Sequence, residues 1–398
     1  MRDDELQVLG ESRNLGKRNR WKIAIVMLTI AVALGLALHW VLSPQQPEKI
    51  KTGKKMGEST IVLGLQEAVD SLLNEKLTEI NGLQGQVIVM EVQTGEIVAM
   101  VGLERNFEGK FQPGKNFAYQ QDLGSFTKTA SLLAALETGK VKLSDEVDVG
   151  DGLLPIDDNS FMKDHNWKRG GYGRITYEQA LEQSSNIGIG KAVDKAFGKN
   201  QQQFYDSLER MSFGQPDSIE GIEGLKVTTY RSPKDSDWLS SEIWWNAIGY
   251  GRKIAPIQML TFYNAIANDG RMVKPTLKTG EAEIINPQIA SKAGIDSIQL
   301  ALEHVVSEGL GKRAGTPYLS VAGKTATSQV DWFEDGENTV SEYQVGFCGY
   351  FPANKPKYSM IVSMNKLGVP ASGGGQAGPL FHDIVEWMIT HDMPSPLW

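Results

Sequence analysis

The placement of the apolar, β-rich runs constrains the fold more than any other feature of this chain. One pair, "QVIVMEVQTGEIVAMV" (residues 86–101), flanks a Thr94-Gly95 turn, which is the pattern of a hairpin. Three more, "YLSVAGKTATSQV", "EYQVGFCGYFPA" and "YSMIVSMNK", crowd into residues 318–366. Residues 140–310 between them read as mainly helical, with "YEQALEQSSNIGIGKAV" and "PIQMLTFYNAIANDG" the clearest segments. Strands at both ends with helices between them predict one sheet built from distant segments, with a helical insertion. Leu65, Val69, Leu72, Leu73, Leu77 and Ile80 recur at helical spacing before the hairpin, and Gly82 is a plausible stop. Another helix, "PLFHDIVEWMIT", follows the last strand.

The first 60 residues read differently. Ile23 to Leu38 is an unbroken apolar or small-residue run, and with Trp40 to Leu42 it approaches the ~20 residues that span a bilayer. Arg13, Lys17, Arg18, Arg20 and Lys22 precede it, and no clear A-x-A cleavage site follows. The expected organisation is a cytoplasmic tail (1–22), an uncleaved transmembrane signal anchor (23–42), a polar linker with Pro44 and Pro47 (43–60) and a globular domain (61–392). A formal net charge of −8 argues against a general nucleic-acid binder. Cys348 is the single cysteine, so neither an intrachain disulfide nor a cysteine metal cluster is expected. His39, His165, His304, His382 and His391 are scattered without metal-ligand spacing and read as surface or packing residues, so no metal is expected.

Chemistry enters with "LGSFTKTASLLAALETG", residues 123–139. It reads as an apolar helix entered at Gly124 and stopped at Gly139, yet Ser125 and Lys128 stand at its start. Residues i and i+3 share a helix face, so the Lys128 amine can reach the Ser125 hydroxyl. Burial and the positive end of a helix both favour neutral lysine, which could then take the serine proton. The bland alternative is a capping serine beside a solvated lysine. Two further stretches carry polar groups where apolar ones would pack better: Ser184-Ser185-Asn186 inside a helical pattern, and "GKTAT" (323–327) on a strand. Each alone could be a helix end or the polar face of an edge strand. A fourth stretch, "GGGQAG" (373–378), fits G-x-G-x-x-G, but the required second strand does not follow it, so a Gly-rich connection between strand and helix is the better account.

In sequence order, Ser125-Phe126-Thr127-Lys128, Ser184-Ser185-Asn186 and Lys324-Thr325-Ala326 reproduce the S-x-x-K, S-x-N and K-T-G set of penicillin-recognising serine enzymes. With "ALEQSSNIGIGKA", "AIGYGRKIAPIQMLTFYNAIANDGRMVKP" and "VGFCGYFPANKPKYSMIVSMN", the chain from about residue 61 to 390 resembles the transpeptidase domain of class B penicillin-binding proteins. The resemblance implies an α/β (α+β), β-lactamase/transpeptidase-like fold: an antiparallel sheet flanked by helices, beside an all-helical subdomain, with the site between. It implies a serine-type D,D-transpeptidase of the extracytoplasmic (periplasmic) face of the cytoplasmic membrane, cross-linking peptidoglycan stem peptides that end in D-Ala-D-Ala. Ser125 would be the nucleophile and Lys128 its base. Ser184 would relay a proton, and Asn186 would hold Lys128 and the substrate amide. Lys324 and Thr325 would bind the terminal carboxylate. Backbone N–H groups of Ser125 and Thr327 would form the oxyanion hole. No cofactor is implied; β-lactams and a SEDS-type glycan polymerase are the implied ligand and partner.

Departures from the family pattern set further expectations. Ala326 stands where Gly is usual and would place a methyl beside the oxyanion-hole strand. Leu123 replaces a frequent Pro, and Phe126-Thr127 inverts the usual order. A pedestal between membrane and catalytic domain, normal for the class, is not read here. The nearest rival, a serine β-lactamase, would need the pattern E-x-x-L-N, which Glu220 and Glu223 in "IEGIEGL" do not fit. A D,D-carboxypeptidase would use the same residues with water as acceptor. A non-catalytic β-lactam sensor or a division or elongation scaffold is the alternative of a different class.

Overall fold

The computed structural model describes residues 57–158, 160–335 and 338–392. The expected tail, the anchor and residues 43–56 of the linker lie outside the described residues. Among the described residues, no helix is long and apolar enough to cross a membrane.

Helix α1 (Leu63–Glu79) buries the stripe Leu65, Val69, Leu73 and Leu77, spaced one turn apart as the sequence pattern requires. It leads into β1 (Gly82–Glu91), β2 (Ile97–Arg105) and short β3 (Phe111–Pro113). More than 200 residues later, β4 (Ala322–Asp335), β5 (Asn338–Phe351) and β6 (Tyr358–Leu367) complete a six-stranded sheet in the order β4-β5-β6-β1-β2-β3. Every neighbouring pair is antiparallel. The two ends of the chain meet at the β1–β6 pairing, where Val87 lies opposite Val362 and Ile88 opposite Ile361. The sheet expected from distant segments is therefore present.

Side chains alternate across a strand, so this sheet divides the core in two. Val87, Val89, Met360 and Val362 pack with α1 and with α9 (Gly378–Thr390), through Leu380, Ile384, Val385 and Met388. Ile88, Met90 and Ile361 face the opposite cluster, which includes Phe126, Ala130, Met259 and Tyr263. A sheet covered on both faces needs no polar alternation, which is why "VIVM" reads as a continuous apolar run.

The second cluster is organised by α2 (Thr127–Glu137), buried from Thr127 through Ala135. It then takes in α3 (Tyr177–Glu182), α4 (Asn186–Phe197), α5 (Gln202–Arg210), α6 (Glu242–Ala247), the fully buried α7 (Pro256–Ala267) and α8 (Lys292–Ser307). Two expectations need correction here. The insertion is not all helical: short antiparallel pairs join Glu146–Gly150 to Gly173–Thr176, and Leu153–Pro155 to Phe161–Lys163. Strands of three to five residues, two of them with no buried position, leave too little pattern to read. The segment "YEQALEQSSNIGIGKAV" is two helices, because Ser184 adopts φ +54° and Ser185 caps α4, its Oγ accepting from Gly188 N at 2.9 Å.

Gly346 marks one point where the sheet and the helical part pack tightly. A Cβ added at Gly346 of β5 would lie 2.7 Å from Phe126 Cζ and 3.0 Å from the Val362 carbonyl. Gly346→Ala is expected to destabilise the domain by about 1–3 kcal/mol through overpacking. Gly280→Ala, at a site with nothing within 4 Å, should stay within about 0.5 kcal/mol of the parent. Urea midpoints measure both, and an unchanged Gly346→Ala midpoint would contradict the contact.

Candidate active site

Ser125 sits in a 3-10 turn, Gly124–Phe126, that runs directly into α2. Gly124 has φ +51°, and a Cβ there would meet Ser328 at 2.9 Å, so the turn presses against β4 with no room for a side chain. Buried Tyr263 fixes the turn from below: its hydroxyl donates to the Phe126 carbonyl at 2.9 Å and lies 2.7 Å from Thr129 Oγ1. Ser125 is left half-buried at the surface of a rigid helix start.

Lys128, one turn further, is only 1% exposed, which rules out the solvated-lysine alternative. Its Nζ donates to the Ser184 carbonyl at 2.6 Å and to Ser184 Oγ at 3.2 Å. Burial pulls its pKa down to about 7, with the Asp164 charge acting in the opposite direction. At neutral pH much of this lysine is therefore an uncharged amine, able to accept a proton.

The Ser184-Ser185-Asn186 corner is held by a residue that sequence reasoning missed. Asp164 is fully buried. One of its oxygens accepts from Ser185 Oγ at 2.7 Å, and the other from the backbone N–H groups of Asn186 at 2.6 Å and Ile187 at 3.1 Å. A carboxylate on the first N–H groups of α4 is the favourable pairing of charge and helix dipole. Asn186 was expected to hold Lys128, but its Nδ2 donates to the Lys163 carbonyl at 2.7 Å.

On the other side stands β4, the edge of the sheet. Thr325 and Thr327 face the cleft, and Thr327 Oγ1 accepts from Gly373 N at 2.9 Å. Lys324 lies beneath this face. It is 0% exposed, and its Nζ donates to Thr325 O at 3.0 Å, with Thr325 Oγ1 at 3.4 Å. Burial, reinforced by the Lys128 charge, pushes its pKa well below the usual lysine range. Ala326, whose methyl was expected beside the oxyanion-hole strand, belongs to the buried core and is not part of the cleft lining. The "GGGQAG" stretch forms a turn, Gly373–Ala377, before α9, which matches the strand-to-helix connection expected of it.

These elements enclose a cavity of about 360 Å³ lined by Ser125, Lys128, Ser184, Asn186, Thr325 and Thr327. His165, Arg313 and Ser372 share the lining, none of them singled out from sequence. His165 is exposed, as the surface reading expects, and also lines the cavity: its Nε2 lies 3.1 Å from Tyr172 Oη, and desolvation with the Arg169 and Lys128 charges lowers its pKa. Asp164 and His165 follow the short Phe161–Lys163 strand, and their one sequence signal is adjacency in "KDH", too common a pattern to interpret.

Known proteins place this geometry. The chain is 28% identical over 323 residues to stage V sporulation protein D of Bacillus subtilis, covering 75% of this chain and 48% of that protein. It is 23% identical over 370 residues to the peptidoglycan D,D-transpeptidase FtsI homolog of Mesostigma viride, covering 83% and 60%. The chain thus spans about half the length of the Bacillus relative. The apo TP domain of penicillin-binding protein 3 from Burkholderia pseudomallei superposes with a TM-score of 0.71 at 23% identity, over 85% of this chain and 98% of that one. The penicillin-binding protein transpeptidase domain model matches residues 85–386, from β1 to α9 with the whole cleft, and the chain belongs to that family.

Proposed function

We propose that the chain is a serine-type D,D-transpeptidase that cross-links peptidoglycan stem peptides through an acyl-enzyme on Ser125. The observation that carries this reading is the buried Lys128 amine with its pKa near 7, one turn from Ser125 on the same cavity. Ser125 Oγ attacks the carbonyl of a D-alanyl-D-alanine bond while Lys128 takes its proton. The amide then breaks, and Ser184, within reach of Lys128, passes a proton to the departing D-alanine nitrogen. An acceptor amine attacks the ester, forms a new amide and returns the proton to Ser125.

The terminal carboxylate would lie along Thr325 and Thr327, whose hydroxyls suit it, beside the guanidinium of Arg313. Lys324, buried beneath Thr325, would act as a second positive centre, since an anion above it favours its protonated form. The N–H groups of Ser125 and Thr327 are the proposed oxyanion hole. β-Lactams would acylate the same serine. Glu220 pairs with Lys278 and Glu223 with Lys115 at exposed positions, and the described residues lining the cavity include no carboxylate to drive hydrolysis. Slow deacylation separates this reading from a β-lactamase, and aminolysis separates it from a carboxypeptidase. Membrane anchoring through residues 23–42, a periplasmic catalytic domain and partnership with a SEDS-type polymerase complete the proposal.

A fluorescent penicillin is expected to label the protein covalently, and Ser125→Ala to abolish the label; equal labelling of the variant would refute the nucleophile. Incubation with a stem-peptide donor and an amine acceptor should give the cross-linked mass as the main product, whereas a hydrolysed donor alone would make the protein a carboxypeptidase.

The pH dependence follows from Lys128. Only its neutral form accepts a proton, so the acylation rate should rise with pH through about 7 and level off above it. Asp164 raises the Lys128 pKa, so Asp164→Asn should move this limb to lower pH. The same variant should lose about 1–3 kcal/mol of stability, because the charged acceptor of three buried hydrogen bonds is gone. Stopped-flow acylation and thermal melts check both; a limb that stays in place would remove Asp164 from the electrostatics of the site.

A further inference from the structure

Behind the cleft, outside the lining described above, three metal-ligating side chains converge. Glu178 and Glu182 lie four residues apart on α3 and so share one face. His304 reaches them from the last turn of α8. One ligand atom from each falls within 4.8 Å of the others. His304 Nδ1 is 2.9 Å from Glu178 Oε1 and 3.8 Å from Glu182 Oε1.

A second observation comes from Glu182. The residue is 8% exposed, and its carboxylate meets the His304 ring only at 3.8 Å, beyond hydrogen-bond range. A buried carboxylate without a donor is unfavourable. A cation between the three groups would supply the missing partner.

We propose that Glu178, Glu182 and His304 form a binding site for a divalent transition metal of the zinc class, clamping α3 to α8. Metal–ligand bonds of ~2.1 Å in a tetrahedron put the ligand atoms about 3.4 Å apart. The two observed separations fall on either side of that value, so small side-chain rotations suffice. One imidazole with two carboxylates suits zinc or manganese better than calcium or magnesium, which prefer oxygen alone. Partial exposure of His304 and Glu178 leaves a path for the ion and for a water in the fourth position.

The location links the site to the cleft. The Glu182 carbonyl accepts from Leu310 N at 3.1 Å, and Leu310 lines the cavity together with Arg313. Two residues after Glu182 comes Ser184, which receives the Lys128 hydrogen bonds. A metal holding α3 against α8 would therefore fix two walls of the cleft from behind. This inference does not depend on the proposed reaction.

The test is isothermal titration of the chelator-treated full chain in detergent with zinc chloride, with magnesium chloride as control. Cobalt(II) substitution gives visible bands that report nitrogen and oxygen ligation. One equivalent of zinc should bind, and His304→Ala and Glu182→Gln should each weaken it by at least about 10-fold. Glu178→Gln, at a more exposed position, serves if either variant fails to give the parent far-UV spectrum. Absence of zinc binding, or binding unchanged in the folded variants, would overturn the proposal.

Discussion

An ammonium group removed from water governs the arrangement of this cleft. Lys128 is 1% exposed, and an isolated charge there would be strongly disfavoured. The chain meets this in two ways. The amine gives up its proton more readily, and it donates to an oxygen pair from one residue, the Ser184 carbonyl and hydroxyl. Presenting both oxygens to one nitrogen requires Ser184 to take φ +54°, a region that non-glycine residues rarely enter. That conformation breaks what would otherwise be one continuous helix. The break between α3 and α4 is thus tied to the lysine two segments away.

Such a corner holds only if its surroundings over-determine it. Asp164 supplies the determination, tying Ser185 Oγ and two backbone N–H groups at the start of α4 to one carboxylate. Its own backbone N–H donates to the Gly152 carbonyl at 2.9 Å, anchoring it to the small hairpins. Those hairpins add little to the core, but they deliver Asp164 under the corner and His165 into the cavity. Asp164 also holds the Lys128 pKa up against burial. One buried carboxylate therefore fixes the geometry of the corner and moderates the effect of burial on Lys128.

The sequence was legible where a side chain's surroundings are set by its near neighbours. The sheet could be read because both faces are covered and its strands are long apolar runs, and α1 because its buried stripe repeats every turn. Ser125 and Lys128 could be paired because three residues of helix fix their separation. Asp164 was not legible, since a buried carboxylate looks like any surface aspartate until its three donors are in place. Arg313, in the 3-10 turn Lys312–Ala314, and His165, on a loop, reach the cavity from segments whose course depends on packing far along the chain. Glu178 and Glu182 have helical spacing, but His304 joins them from more than 120 residues away, so spacing alone could not bring the three together.

Ala326 shows how local register decides what a substitution means. Strand alternation sends Thr325 and Thr327 to the cleft and turns Ala326 towards the core. Directly across the ladder from it stands Gly346, which has no side chain because Phe126 occupies that space. The alanine methyl thus sits beside a cross-strand position filled by the Phe126 ring and away from the cleft-facing side of β4. The steric limit of this edge falls instead on the Gly-rich turn. A Cβ at Gly373 would lie 2.2 Å from the Ala326 carbonyl, and one at Gly374 2.1 Å from the Leu310 carbonyl. The turn can lie flat on β4 and join Ser372 to the cavity rim only while those two positions remain glycine.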